Sequence, residues 1–113
     1  MMRHLTVVVG LVGLMTPSVF AQNAGLVQTG KQLYSSKECA RCHMVAGKGN
    51  KTGKLDGVAS KMSAEDMRKW LTAPVEMELK LDHKPKVKMS SRKTMRLTDA
   101  DVAALVAYLM TLK

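Results

Sequence analysis

The sequence predicts a single all-α domain. Its 113 residues suit one domain, apolar residues recur at helical spacing in three segments, and no strand-like alternation of apolar and polar residues follows the first 21 residues. Aromatic residues are few, namely Phe20, Tyr34, Trp70 and Tyr108. Since short domains bury a small fraction of their surface, we expect a bound cofactor to complete this core.

Residues 1–21 are typical of a cleaved export signal. An uncharged apolar run follows Arg3, ends at Pro17 and leads to small residues that a signal peptidase recognises. We therefore predict cleavage after Ala21 and a mature domain of residues 22–113. An uncleaved membrane anchor is the alternative, but the run is shorter than the roughly 20 residues that span a bilayer.

Three helices are predicted in the mature chain. The first covers residues 25–37, where leucine, valine and tyrosine share one stripe. The second begins at the N-cap Ser63 and ends at Pro74. Thr98 caps the third helix, whose apolar stripe consists of Val102, Leu105, Val106 and Leu109.

Two segments lack helical periodicity. Residues 47–57 contain four glycines, which predicts a loop. Residues 75–96 are irregular and crowded with lysine and arginine, so we expect a long surface loop. Loops of that length are usually functional or disordered.

Both cysteines lie in the motif Cys39-Ala-Arg-Cys42-His43. A thioredoxin-like disulfide would follow a strand within a βαβ unit, whereas a helix is predicted here. A zinc site would have to combine the motif with His83, a spacing that fits no structural zinc pattern. Attachment of c-type haem uses all three residues, because Cys39 and Cys42 form thioethers with the vinyl groups and His43 becomes the proximal iron ligand.

Residues 25–113 resemble a small monohaem class I cytochrome c, with the family's order of helices, haem motif and ligand loop. The resemblance implies a compact fold of three main helices around one covalent haem c and its iron. It also implies that Gly30 and Tyr34 lie where the first helix crosses the last, at residues 105–109. Trp70 stands where the family often places a large aromatic beside the haem, and it either donates to a propionate or fills the core.

One departure from the family pattern concerns the proximal histidine. The family commonly has Gly-Pro after the haem motif, and a carbonyl there accepts a hydrogen bond from the second ring nitrogen of the histidine. The corresponding stretch is Gly53-Lys54-Leu55, which lacks the proline. Either another carbonyl accepts this bond or the proximal side is looser than usual.

The resemblance further implies a methionine as the distal iron ligand, from the loop before the last helix. Met89 is the candidate, because "KPKVKM" at residues 84–89 resembles the family's approach to that ligand. Met95 is the runner-up. Met77, His83 or a vacant sixth position remain alternatives, and a bis-histidine site would have a lower potential.

These observations predict a periplasmic, monomeric carrier of single electrons. A six-coordinate iron offers no position for a substrate, so we expect electron transfer rather than catalysis. Two alternatives stay open: a dedicated cytochrome subunit of a periplasmic dehydrogenase or oxidase, and a haem enzyme or gas sensor with a labile sixth site.

The formal charge of +9 indicates the kind of partner. Lysines of the ligand loop, with Lys48, Lys51 and Lys54, are expected to steer redox proteins that have acidic docking faces. Nucleic acid is not expected, because the chain has no recognisable nucleic-acid motif and is predicted to be exported. Stable membrane insertion is not expected either.

Overall fold

The computed structural model describes residues 19–91 and 96–113, together with Gly10 and Gly13. These residues form a mainly helical domain with one very short hairpin. Its elements are α1 (Val19–Ser36), β1 (Met44–Val45), β2 (Lys48–Gly49), α2 (Val58–Lys61), α3 (Ala64–Thr72), α4 (Pro74–Glu78) and α5 (Asp99–Leu109). The all-α prediction is confirmed, and the three longest helices, α1, α3 and α5, are the three predicted ones.

Helix α1 begins earlier than the sequence pattern predicts, at Val19 instead of Gly25. The intervening alanines and glutamine are good helix formers and carry no apolar period, which explains why periodicity alone misses them. Most of the predicted signal peptide lies outside the described residues, and cleavage after Ala21 stays a prediction. In the described part of the chain no helix is long and apolar enough to span a bilayer.

The predicted N-caps of α3 and α5 are confirmed. The Ser63 hydroxyl accepts a hydrogen bond from the Asp66 amide at 3.1 Å. The Thr98 hydroxyl accepts one from the Asp101 amide at 3.1 Å, and the Asp101 carboxylate accepts one from the Thr98 amide at 3.0 Å. Each cap satisfies backbone donors that a helix start leaves open, and such caps stabilise by about 1 kcal/mol.

Helices α1 and α5 cross in close contact, as the family resemblance implies. A Cβ at Gly30 would collide with the carbonyl oxygen of Ala104 and would lie 2.7 Å from Cβ of Tyr108. Beside this crossing, the rings of Tyr34 and Tyr108 meet edge to face, with their centroids 5.8 Å apart. Glycine at position 30 therefore lets the two backbones approach.

A second apolar cluster fastens α3 to α5. Met67 of α3 is 2% exposed and packs with Val102 and Val106 of α5. The neighbouring Leu71 contacts both clusters from their edge. Helix α3 is thereby held against the helix pair, with Trp70 and Leu71 on the wall of a cleft.

The predicted loops contain short elements that the sequence pattern did not indicate. Residues 47–57 include strand β2 and a 3-10 turn at Lys51–Gly53, and α4 occupies the start of the predicted loop 75–96. The hairpin turns at Ala46 and Gly47, both at positive φ (51° and 78°), as in a two-residue type I′ turn. Alanine is unusual at such a position, so the sequence carries little signal for this turn.

Candidate functional site

A cleft of about 690 Å³ opens beside the helical core. Its volume lies within the roughly 300–1,000 Å³ that is usual for cofactor pockets. Much of its wall is apolar, formed by Leu55, Val58, Met62, Met67, Trp70, Leu71, Leu81 and Leu109. Cys39, Cys42, His43 and Met89 all line this cleft. Residues that are fifty positions apart in the sequence therefore share one cavity.

The cysteine motif forms a tight turn directly after α1. Cys39–Arg41 is a 3-10 turn, and the carbonyl of Cys39 accepts hydrogen bonds from the amides of Cys42 (3.1 Å) and His43 (3.0 Å). This turn presents both thiols and the imidazole to the cleft, and no disulfide joins the two cysteines. A helix precedes the motif, which argues against a thioredoxin-like site.

The structure also bears on the zinc alternative. Among the described residues, no three His, Cys, Asp or Glu side chains come close enough to hold a metal ion. His83 is exposed and is absent from the described residues that line the cleft. A zinc site completed by His83 is therefore disfavoured.

One hydrogen bond fixes the tautomer of His43. Its Nδ1 lies 3.0 Å from the carbonyl oxygen of Gly53. A carbonyl can only accept, so Nδ1 carries the proton and Nε2 keeps its lone pair for an electrophile or a metal. The carbonyl expected from the family pattern is thus present without the proline, and a looser proximal side is not what the structure shows.

Glycines let the chain wrap tightly around His43. A Cβ at Gly53 would collide with the Cys42 carbonyl and would lie 2.9 Å from Nδ1 of His43. A Cβ at Gly49 would collide with the His43 carbonyl. The same carbonyl accepts a hydrogen bond from the Asn50 amide at 3.0 Å, and the Asn50 side chain donates to the Arg41 carbonyl at 3.2 Å. The sequence interpretation missed this support, for which the closely spaced glycines were the available signal.

Met89 lies in the cleft with the motif, and it is the one candidate for the distal ligand among the described residues that line this cleft. Met89 is half-buried and begins the turn Met89–Ser91. Met77 is buried, and, like His83, it is absent from the described residues that line the cleft. The runner-up, Met95, lies outside the described residues.

Trp70 is half-buried on α3 and lines the cleft. Its ring belongs to the apolar wall that also includes Met67 and Leu71. This position suits both predicted roles, since an indole offers a large apolar face and one N–H donor.

Charged residues also line the cleft, and one of them, Glu78, accepts hydrogen bonds from Ser90 that the sequence interpretation missed. Lys37, Lys86 and Lys88 line the cleft, together with Glu78. The carboxylate of Glu78 accepts hydrogen bonds from the amide of Ser90 at 3.0 Å and from its hydroxyl at 2.7 Å. The bond from the Ser90 amide, more than any other contact, holds the pKa of Glu78 below its ordinary value. Glu78 is therefore ionised near neutral pH.

Tyr34 lies behind the motif in the core cluster against which Cys39 packs. The hydroxyl of Tyr34 is buried without a hydrogen-bond partner. Burial, reinforced by the nearby Cys39, raises the pKa of Tyr34 to about 12. This phenol stays neutral over the physiological range.

Comparison with known proteins identifies one family. Residues 27–113 match the family model described as "Cytochrome c". No curated protein and no solved structure matches the chain significantly.

Proposed function

Since the chain belongs to the cytochrome c family, whose members carry covalently attached haem c with iron, we propose that it is a periplasmic carrier of single electrons with His43 and Met89 as axial ligands. Membership of this family identifies the chain as a haem-based electron carrier that works with redox partners. The observation that carries the proposed ligand set is that Cys39, Cys42, His43 and Met89 all line one cleft.

The residues of the cleft fit this cofactor. Its apolar wall suits a porphyrin, and the two thiols lie on one tight turn at its edge. Cys39 and Cys42 would hold the group through thioether bonds, each by addition of S–H across one vinyl double bond. His43 would ligate the iron through Nε2, because Nδ1 is engaged with the Gly53 carbonyl.

Haem c supplies a ferric/ferrous couple when bound. The protein's own contribution is to tune that couple and to protect it. The Gly53 carbonyl would make the His43 imidazole a stronger donor, whereas the thioether of Met89 would favour the reduced state and raise the potential. Two protein ligands would close both axial positions, which supports electron transfer rather than catalysis.

The charge around the cleft supports docking of acidic partners. Lys86 and Lys88 line the cleft and are exposed, and Lys48, Lys51 and Lys54 are exposed on the segment that wraps around His43. Positive charge at the cleft mouth would speed encounter with an acidic surface and would act less at high salt. We propose that the carrier is a monomer that engages such partners transiently.

Absorption spectra of the exported, haem-loaded protein test this proposal. The wild type and Met95→Ala should show the near-infrared band of methionine bound to ferric iron, and Met89→Ala should lack it. The intact mass should equal that of residues 22–113 plus one haem. A methionine band that survives in Met89→Ala would show that the distal ligand is assigned wrongly.

Two further outcomes separate the alternatives. Rapid binding of carbon monoxide by the reduced wild type would indicate a labile sixth site, and hence a haem enzyme or gas sensor. Stoichiometric co-purification with a dehydrogenase or oxidase would indicate a dedicated subunit instead of a free carrier.

A further inference from the structure

We propose that Glu78 and Ser90 form a clamp that positions Met89 at the iron. This inference rests on the proposed ligation by His43 and Met89. It assigns a positioning role to two residues that make no bond to the cofactor themselves.

The clamp uses both oxygens of one carboxylate. Glu78 is the last residue of α4, and Ser90 directly follows Met89 in the turn Met89–Ser91. Oε1 of Glu78 accepts from the Ser90 amide at 3.0 Å, and Oε2 accepts from the Ser90 hydroxyl at 2.7 Å. A smaller contribution from the Met89 amide helps to keep the pKa of Glu78 low. Hydrogen bonds to an ionised acceptor are about twice as strong as neutral ones.

The clamp closes a loop that has little packing of its own. Residues 79–88 connect its two ends, and all of them are exposed except the half-buried Pro85. Leu79 is 80% exposed and Val87 is 67% exposed. Because so few side chains of this loop are buried, the position of Met89 depends strongly on what holds the loop's end.

Helix α4, which carries Glu78, is itself fixed in the domain. Its Met77 is only 8% exposed, and α4 packs on both α3 and the turn that carries Met89. Lys88 also acts on the Glu78 carboxylate through its positive charge. The turn is therefore tied to the helical core through Glu78, and the two hydrogen bonds act on Ser90, the residue next to Met89.

Two variants of the clamp and two controls test this role in the haem-loaded protein. Glu78→Ala removes every clamp bond, and Ser90→Ala removes one. Ser90→Thr keeps the hydroxyl, and Glu76→Ala removes an exposed carboxylate from the same helix. Carbon monoxide binds the reduced protein only after Met89 leaves, so its binding rate reports how firmly Met89 is held.

Glu78→Ala should bind carbon monoxide about a hundredfold faster than wild type, because it removes two charge-assisted hydrogen bonds that contribute roughly tenfold each. Ser90→Ala should be intermediate, and Ser90→Thr and Glu76→Ala should stay within about twofold of wild type. Amide hydrogen exchange should show loss of protection at Ser90 in Glu78→Ala, while the amides of α5 stay protected. Exchange thus separates a released loop from a destabilised core.

The failure of the clamp differs from the failure of the ligand assignment. If Met89→Ala binds carbon monoxide rapidly but Glu78→Ala behaves like Glu76→Ala, the clamp is overturned and Met89 stands as ligand. If Met89→Ala keeps the methionine band, both inferences fall. If Glu78→Ala does not incorporate haem, Ser90→Ala provides the test. A carbon monoxide binding rate of Ser90→Ala equal to that of Ser90→Thr would then refute the positioning role.

Discussion

At the scale of single residues, the orientation of His43 depends on Gly53. Its carbonyl accepts the hydrogen bond from Nδ1 of His43 at 3.0 Å, and its missing side chain leaves room for the Cys42 carbonyl. Both features come from one position, so a small substitution there should disturb His43, the proposed iron ligand, and the local fold together.

Gly53→Ala is expected to raise the reduction potential and to destabilise the protein. The added methyl group would push the carbonyl away from His43, which makes the imidazole a poorer donor to ferric iron. The strain of a collision with backbone should cost about 1–3 kcal/mol of unfolding free energy. Potentiometric titration and denaturant unfolding measure the two effects. An unchanged potential would mean that the Gly53 carbonyl does not tune His43.

Tyr34 is the residue whose ionisation should affect stability at alkaline pH. Its pKa is raised from 10.0 to about 12, mainly because burial disfavours the phenolate. The unfolded chain would release this proton near pH 10, before the folded protein does. The stabilising contribution is therefore fully present below pH 10 and is lost as the pH rises towards 12.

Tyr34→Phe should remove that pH dependence. At pH 8 the variant should be more stable than wild type by about 1 kcal/mol, because a buried hydroxyl without a partner is lost. Between pH 10 and 12 the difference in stability should widen. Denaturant unfolding at a series of pH values measures it, and a difference that stays constant with pH would argue against a raised pKa at Tyr34.

At the scale of elements, the crossing of α1 and α5 organises the domain. Gly30 is in contact with the Ala104 carbonyl, and the Tyr34 and Tyr108 rings meet beside it. Cys39 packs against the same cluster. The position of the haem motif is thus coupled to the distance between these two helices.

Gly30→Ala should destabilise the protein by at least about 2 kcal/mol, since its methyl group has no space between the two backbones. Gly25→Ala is the matched control, because it lies in the same helix and a Cβ there meets nothing within 4 Å. That control should be neutral or slightly stabilising, owing to the better helix propensity of alanine. Equal thermal stabilities for the two variants would contradict the crossing.

The elements also show how far the sequence could predict the structure. Capped segments such as α3 and α5 were predicted because their signals are local: an N-cap residue and regularly spaced apolar residues. Helix α4 has five residues, too few to display a period, although Pro74 at its first position suits a helix start.

The candidate site likewise contains residues that a local sequence pattern predicts and contacts that no such pattern predicts. Cys39, Cys42 and His43 were found as a contiguous motif, and the structure brings them to one cleft with Met89. The hydrogen bond between Gly53 and His43 and that between Glu78 and Ser90 join residues 10 and 12 positions apart. No local pattern specifies such pairs, because they form only when the intervening chain folds back.

At the scale of the whole molecule, charge should govern encounter. The chain carries a formal charge of +9, and exposed lysines such as Lys86 and Lys88 stand at the cleft. If the electron leaves through this region, an anionic oxidant should be attracted to it and a cationic oxidant repelled. Screening by salt should weaken both effects, since the Debye length shrinks to about 3 Å at 1 M ionic strength.

Oxidation of the reduced protein by small complexes of opposite charge tests this arrangement without knowledge of the natural partner. The rate with hexacyanoferrate(III) should fall as ionic strength rises, and the rate with hexaammineruthenium(III) should rise. Lys86→Gln should flatten the first dependence more than Lys31→Gln does, because Lys31 is exposed on α1 and lies in a different groove. Both variants remove one charge, so net charge alone predicts equal slopes. Equal slopes would show that the electron does not leave beside Lys86. A flatter dependence on ionic strength in Lys86→Gln than in Lys31→Gln would place the exit at the mouth of the cleft.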